Sequence, residues 1–90
     1  MSTTTITGIT KSTPVQISQG EEVCSIRNTT PHVIKVWQST ASPDINTEPM
    51  IRLHRYEERI FFGLGVYTEY VFAVAEDEDV SVVYTPAIPG

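Results

Sequence analysis

Alternating apolar and polar residues occur along most of the chain in short runs, and turn-forming residues separate these runs at regular intervals. Gly20, Pro31, Pro43, Pro49 and the stretch 63–65 mark the turns. The runs are rich in Val, Ile, Thr, Tyr and Phe, and none repeats apolar residues with the period of a helix. The pattern predicts an all-β domain without significant helix, a small antiparallel β-sandwich or barrel of about 6–8 short strands.

Neighbouring runs are expected to pair as hairpins, because each pair is separated by a short turn. The expected pairs are 14–18 with 21–27, 50–53 with 58–62, and 68–75 with 80–85. In the first pair, alternation directs Val15, Ile17, Cys24 and Ile26 inward. The third pair has the clearest period of two and is expected to form the centre of the core.

The strand predicted at 33–39 offers Ile34 and Val36 to one face and Val33, Lys35 and Trp37 to the other. Trp37 is therefore either a core residue at the sheet edge or an exposed anchor of a contact surface, and both interpretations stay open. The long loop that follows, 40–49, has two prolines and no periodicity, which is typical of segments that make contacts.

The balance of charge excludes several classes of partner. Eleven acidic and six basic residues give a net charge of -5, which argues against nucleic-acid binding. The apolar runs are too short for a membrane span, and the first residues do not resemble a secretory signal, so synthesis in the cytoplasm is expected. Cys24 is the single cysteine and is expected to be a small buried hydrophobe.

The chain carries none of the motifs typical of nucleophilic, zinc, phosphate or dinucleotide sites, so we expect no enzyme, no catalytic residue and no cofactor. His32 and His54 stand beside turns, where a solvated imidazole is typical. The acidic run 76–79 resembles a calcium site, but neighbouring strand residues point to opposite faces, so no metal ligand is assigned. The run is more typical of a solvated tip or of a contact with a basic patch.

Three segments follow from the pattern: an N-terminal arm at 1–13, a β domain at 14–85 and a C-terminal tail at 86–90. The arm is β-prone and polar, so it could add a strand to a neighbouring protein. The tail contains two prolines and is not expected to continue a sheet.

Phe61 and Phe62 must point to opposite faces of a strand, so one ring needs a partner or lies in water. A contact surface is therefore expected, with aromatic residues at its centre and arginines that pair with acids across it. Its predicted members are Trp37, Tyr56, Phe61, Phe62, Tyr67, Arg52, Arg55 and Arg59.

The order of four segments carries a resemblance: EEVCSIRNTTPHVIKVWQST, then ASPD, then MIRLHRYEE, then VYTEYVFAVAEDEDVSVVYTP. Over roughly residues 15–85 this layout resembles small β-structured virion proteins encoded among the head genes of tailed bacteriophages. The chain departs from that layout at RYEE, where a glycine-containing turn would be expected, and at the bulky pair Phe61 and Phe62.

The resemblance implies a structural protein of the virion that binds the assembled capsid as a decoration or cement protein. Its implied partners are the major capsid protein or other virion proteins, and a homo-oligomer is expected, with a trimer favoured. No nucleic-acid or membrane partner is implied.

Two other functions stay open. The acidic balance is compatible with a phage-encoded inhibitor of a host enzyme. A carbohydrate- or receptor-binding β module of the head-tail or fibre region could use Trp37 as a platform flanked by Gln38, Asp44 and Asn46.

Overall fold

Eight strands in two four-stranded antiparallel sheets make up the fold, in a computed structural model that describes residues 3–46 and 49–87. The prediction of an all-β sandwich or barrel of about 6–8 short strands is confirmed, and the two sheets make it a sandwich. The strands are β1 (Thr4–Ile9), β2 (Val15–Gln16), β3 (Val23–Asn28), β4 (Ile34–Ser39), β5 (Ile51–Leu53), β6 (Glu58–Phe61), β7 (Tyr70–Ala75) and β8 (Val80–Ala87). A single helical turn, α1 (Leu64–Tyr67), joins β6 to β7.

The strands pair in a nested order, from the outermost pair of the sequence to the innermost. Sheet 1 has the order β1-β8-β3-β6, and sheet 2 has the order β2-β7-β4-β5. The first strand therefore pairs with the eighth, the second with the seventh, the third with the sixth and the fourth with the fifth. This is the strand order of a double-sheet jelly roll, in which one long folded hairpin wraps into two facing sheets.

The three predicted hairpins are wrong. In each, the first strand lies in one sheet and the second in the other, as in β2 and β3, β5 and β6, and β7 and β8. Their turns are arches that cross between sheets. The physical reason is that alternation specifies which face of a strand is apolar, and two apolar faces can meet across the sandwich as well as side by side.

The segment at 4–9 is not a free arm. It forms β1 and pairs with β8 of its own sheet, with Thr4 opposite Tyr84 and Ile6 opposite Val82. At the other terminus, Pro86 and Ala87 belong to β8, so the sheet extends past residue 85. The rest of the predicted tail, 88–90, lies outside the described residues.

The core lies between the two sheets and contains most of the inward residues expected from alternation, while Val15 packs against it and is only partly buried. Ile17, Cys24, Ile26, Ile34 and Val36 are fully buried. Burial of each large aliphatic side chain contributes about 1.5–3 kcal/mol. The prediction for Cys24 is confirmed, and burial, with the nearby Glu21 charge, raises the pKa of its thiol to about 12.

The loops gather at two ends of the sandwich. At one end, which we call the Glu76 end, the N–H of Ala75 donates to the carbonyl of Thr10 at 2.9 Å and the N–H of Glu76 donates to that of Val33 at 3.1 Å. The β5–β6 turn lies at this end too, since it is bonded to Asn28 at the end of β3. The loops around Glu22 and α1 lie at the opposite end.

Candidate functional site

The exposed large hydrophobic side chains of the described residues fall within one short segment, 56–62. Tyr56 is 59% exposed, Ile60 is 50% exposed and Phe62 is 66% exposed. Single exposed apolar residues are ordinary on a protein surface, whereas a cluster in one place is typical of an interaction site. The segment includes the β5–β6 turn and β6.

The β5–β6 turn holds Tyr56 in a strained conformation. Its φ is +68°, a left-handed value that is rare for a bulky side chain. This is the position at which the sequence lacks an expected glycine. The N–H of Tyr56 donates to the carbonyl of Asn28 at 2.6 Å, and the N–H of Glu57 donates to the carbonyl of His54 at 3.0 Å. The carboxylate of Glu57 accepts from the N–H of His54 at 2.6 Å, so the turn is fixed on both sides.

Asn28 anchors this turn from inside the protein, where it is fully buried. Its amide nitrogen donates to the carbonyls of Leu53 at 2.9 Å and His32 at 2.7 Å. Its amide oxygen accepts from both the N–H and the hydroxyl of Thr30. Every polar group of the side chain is paired, so Asn28 fixes the β3–β4 loop and the β5–β6 turn relative to each other.

β6 is an edge strand of sheet 1 and has β3 as its neighbour on one side. Phe61 lies opposite Cys24 and is 4% exposed, so it points into the core. Phe62 is the ring left at the surface, a choice between the two rings that alternation did not make. Ile60 lies opposite Ser25 and points to the outer face of the sheet. The outer side of this edge therefore presents Ile60 and Phe62 together.

A groove of about 330 Å³ opens between β5 and β6, the edge strands of the two sheets. Ile51 and Phe61 are apolar residues of its lining, and Gln38 supplies a polar wall. The amide nitrogen of Gln38 donates to the carbonyl of Phe62 at 3.2 Å and to the carboxylate of Glu69 at 3.0 Å. The full lining is Trp37, Gln38, Ile51, Arg59, Ile60, Phe61 and Phe62.

The predicted contact residues fall into two groups. Four of them, Trp37, Arg59, Phe61 and Phe62, line the groove. Arg55 and Tyr56 form a separate pair at the turn, with the guanidinium 4.8 Å from the ring centre. The side chain of Tyr67 lies outside the described residues. Trp37 is half-buried and pairs in register with Phe72 of β7, a position between the two alternatives left open by the sequence.

Arg52 is engaged within the protein. Its guanidinium donates to the carboxylate of Glu76 at 2.8 Å, the only ion pair among the described residues. This hydrogen bond is the main cause that lowers the pKa of Glu76. Residues 3–46 and 49–87 contain no group of three or more His, Cys, Asp or Glu side chains placed to hold a metal ion.

The residues suggested as a sugar platform are divided. Trp37 and Gln38 line the groove, whereas Asp44 and Asn46 do not contribute to it. The acidic residues are not gathered on one surface either, since Glu57 and Glu76 lie at one end of the sandwich and Glu22 lies at the other.

Two residues that shape this surface were not recognised from the sequence, and the role of a third was not predicted. Ile60 lies between charged and aromatic neighbours in ERIFF, and alternation alone could have placed it beside Phe62. Asn28 begins NTTP, a sequence typical of a turn in which an Asn side chain bonds the backbone two residues ahead. Gln38 was named from the sequence only beside Trp37, as part of the sugar platform. Its bonds to Phe62 and Glu69 were not predictable, because these partners are distant in sequence.

Comparison of the chain with protein-family models, curated proteins and solved structures gave no match. No helix in the described part of the chain is long and apolar enough to cross a bilayer. The surface at 56–62 and the groove beside it are therefore the basis for a functional proposal.

Proposed function

We propose that this chain is a non-catalytic structural protein of a tailed-phage virion, which binds the assembled capsid and stabilises it through protein–protein contacts. The observation that carries the proposal is the cluster of Tyr56, Ile60 and Phe62 at one edge of the sandwich. Burial of each of these side chains in a contact would contribute roughly 1.5–3 kcal/mol.

Two cations accompany the cluster. Arg55 stacks on Tyr56 and Arg59 lies at the groove, and neither forms an ion pair with a described residue. Apolar side chains interleaved with arginines favour a partner surface that offers an apolar pocket ringed by carboxylates.

The rigid turn at Tyr56 supports a binding role. A left-handed conformation costs about 1–2 kcal/mol at a residue other than glycine, and it persists where surrounding bonds enforce it. Here the bond to Asn28 and the Glu57 side chain enforce it. A side chain already held in one orientation loses less entropy when a partner binds it.

Architecture and sequence agree with this proposal. Double-sheet jelly rolls occur among viral capsid domains and also among lectins, so the fold alone assigns no function. The resemblance of the segment order to phage head proteins favours the virion.

The test is the copy number of the chain in purified virus particles, measured by quantitative mass spectrometry against the major capsid protein. Particles are washed in high salt, because salt screens adventitious charge contacts more than apolar ones. A copy number close to that of the major capsid protein supports lattice-wide decoration, and a much lower constant number supports a vertex or neck position. Absence from washed particles overturns the proposal.

A further inference from the structure

We propose that β6 binds a second copy of this chain, so that two β6 strands pair antiparallel about a two-fold axis and join two copies of sheet 1 into one eight-stranded sheet. The inference deepens the proposed function, on which it rests, by naming one occupant of the surface at 56–62. Strand addition at a sheet edge supplies backbone hydrogen bonds, and the side chains select the partner.

The backbone of β6 has an open side. The N–H of Asn28 donates to the carbonyl of Glu57 at 3.0 Å, which sets the alternation of hydrogen bonds between β3 and β6. By that alternation, Arg59 and Phe61 turn their backbone groups toward β3. Glu58 and Ile60 turn theirs toward the open edge, where a second strand can pair with them.

Symmetry and side-chain faces restrict the register. In an antiparallel sheet, residues directly opposite each other lie on the same face. The two-fold axis must therefore be centred on one residue of β6, which then lies opposite the same residue of the second copy. An axis at Arg59 would place two guanidiniums opposite each other, which is unfavourable. An axis at Ile60 places Ile60 against Ile60 of the second copy, and Glu58 against Phe62 of the second copy.

The register centred on Ile60 removes the apolar exposure of this edge. Ile60 points to the outer face and Phe62, the residue after β6, is exposed beside it, so the two copies bring four apolar side chains together around the axis. Glu58 lies directly opposite Arg27 of its own sheet, so the acid at this edge already has a cation as its cross-strand neighbour.

The same register brings the guanidinium of Arg59 of each copy to the groove of the other copy. Arg59 would lie opposite Phe61 of the second copy, on the inner face, at the mouth of the groove that Phe61 lines. In that groove Gln38 holds the carboxylate of Glu69 at 3.0 Å. That groove is already lined by the Arg59 of its own copy, and the carboxylate behind Gln38 is an acceptor toward which the second guanidinium can turn. This pairing of two cations with a carboxylate favours a second copy as the occupant.

The geometry has a consequence for capsid binding. Because the strands are antiparallel, the two Tyr56 turns lie at opposite ends of the shared sheet, roughly 25 Å apart along the strands. Each dimer then offers two rigid turns to other proteins, as a cement that bridges neighbouring capsid subunits would require. The proposed two-fold dimer differs from the trimer expected from the resemblance.

Light scattering coupled to size exclusion tests the dimer on the purified chain. The wild type is expected to elute at twice the mass of the chain, and Ile60→Glu is expected to weaken association by at least about tenfold. Thr5→Glu is the matched control, since Thr5 is exposed on β1, the other edge strand of the same sheet. It should leave the dimer unchanged.

A cross-link tests the register and does not depend on the folding of the charged variant. Residues directly opposite in an antiparallel pair have Cα atoms about 4.5–5.5 Å apart, within disulfide range, whereas diagonal neighbours are about 7–8 Å apart. Ile60→Cys should therefore oxidise to a covalent dimer and Arg59→Cys should not. Cys24 is buried and stays in both variants.

A wild type that remains monomeric at high concentration overturns the inference, as does a dimer that Ile60→Glu leaves intact or that cross-links through Arg59→Cys. These results are separable from the proposed function. A monomer found in washed particles would remove the dimer and keep the virion assignment, and a dimer absent from particles would do the reverse.

Discussion

The carbonyl of Asn28 accepts a hydrogen bond of 2.6 Å from the N–H of Tyr56, and this bond joins the buried end of β3 to the most strained aromatic residue of the surface. Asn28 is buried and fully paired, while Tyr56 is more than half exposed. The interior thus determines how a contact residue is presented to solvent.

Asn28→Ala should lower the free energy of unfolding by roughly 2–4 kcal/mol, because the carbonyl of Leu53 and the N–H of Thr30 would lose their partners in the interior. Urea denaturation measures the change. Asn46→Ala, at an exposed position, serves as the control and should change stability by less than about 0.5 kcal/mol. Equal effects of the two substitutions would contradict the role given to Asn28.

Tyr56→Gly should separate stability from binding. Glycine adopts a positive φ without strain, so the free energy of unfolding should rise by up to about 1 kcal/mol, while incorporation into virus particles should fall. Thermal unfolding and the copy number in particles measure the two effects. Thr68→Gly is the matched control, because Thr68 also has a positive φ, of 53°.

Thr68→Gly should stabilise the fold without any loss of incorporation. If Tyr56→Gly variants were incorporated as well as the control, the Tyr56 side chain would have no part in binding.

Phe61 and Phe62 offer a comparison of neighbours. Phe61→Ala should cost about 3–5 kcal/mol of stability, since it would leave a cavity between the sheets. Phe62→Ala should change the stability of the monomer by less than about 0.5 kcal/mol and weaken self-association instead. Denaturation at a concentration at which the chain is monomeric, followed by light scattering, measures both. A large loss of monomer stability from Phe62→Ala would place that ring in the core.

Alkaline pH should destabilise the protein through Cys24. Burial raises the pKa of the thiol from 9.0 to about 12, so the folded state keeps a proton that the unfolded state releases. The stability from this group is complete below pH 9 and is lost as the pH rises from 9 toward 12. Burial and the bond to Glu21 also raise the pKa of Tyr84, which acts in the same direction.

Urea denaturation at a series of alkaline pH values measures that loss. Cys24→Ala should show a shallower decline, although its stability at neutral pH starts lower because the substitution removes buried volume. An identical decline in the variant would assign the effect to Tyr84 or to the overall charge.

Local pattern was enough to predict the strands from β2 to β8 and their faces, whereas β1 was assigned to an arm. The alternation in the chain placed Ile34 and Val36 inside and distinguished the faces of Phe61 and Phe62, because side-chain direction in a strand depends only on position within the run. The local pattern could not predict which strands pair with each other. Thr4 lies opposite Tyr84, and no periodic signal links residues so far apart.

The contact surface too was predicted in part from the sequence and determined in part only by the tertiary structure. Aromatic and arginine residues at 55–62 could be recognised as contact candidates from their chemistry, and the absence of glycine at Tyr56 was visible in the sequence. The nested order of the jelly roll was needed to show that β6 is an open edge. It was also needed to bring Gln38 and Asn28, which are distant in sequence, close to this surface. The residues of a strand determine which of its faces is apolar. Which strands become its neighbours depends on how the whole chain folds around one core, because any pairing that buries the apolar faces is stabilising.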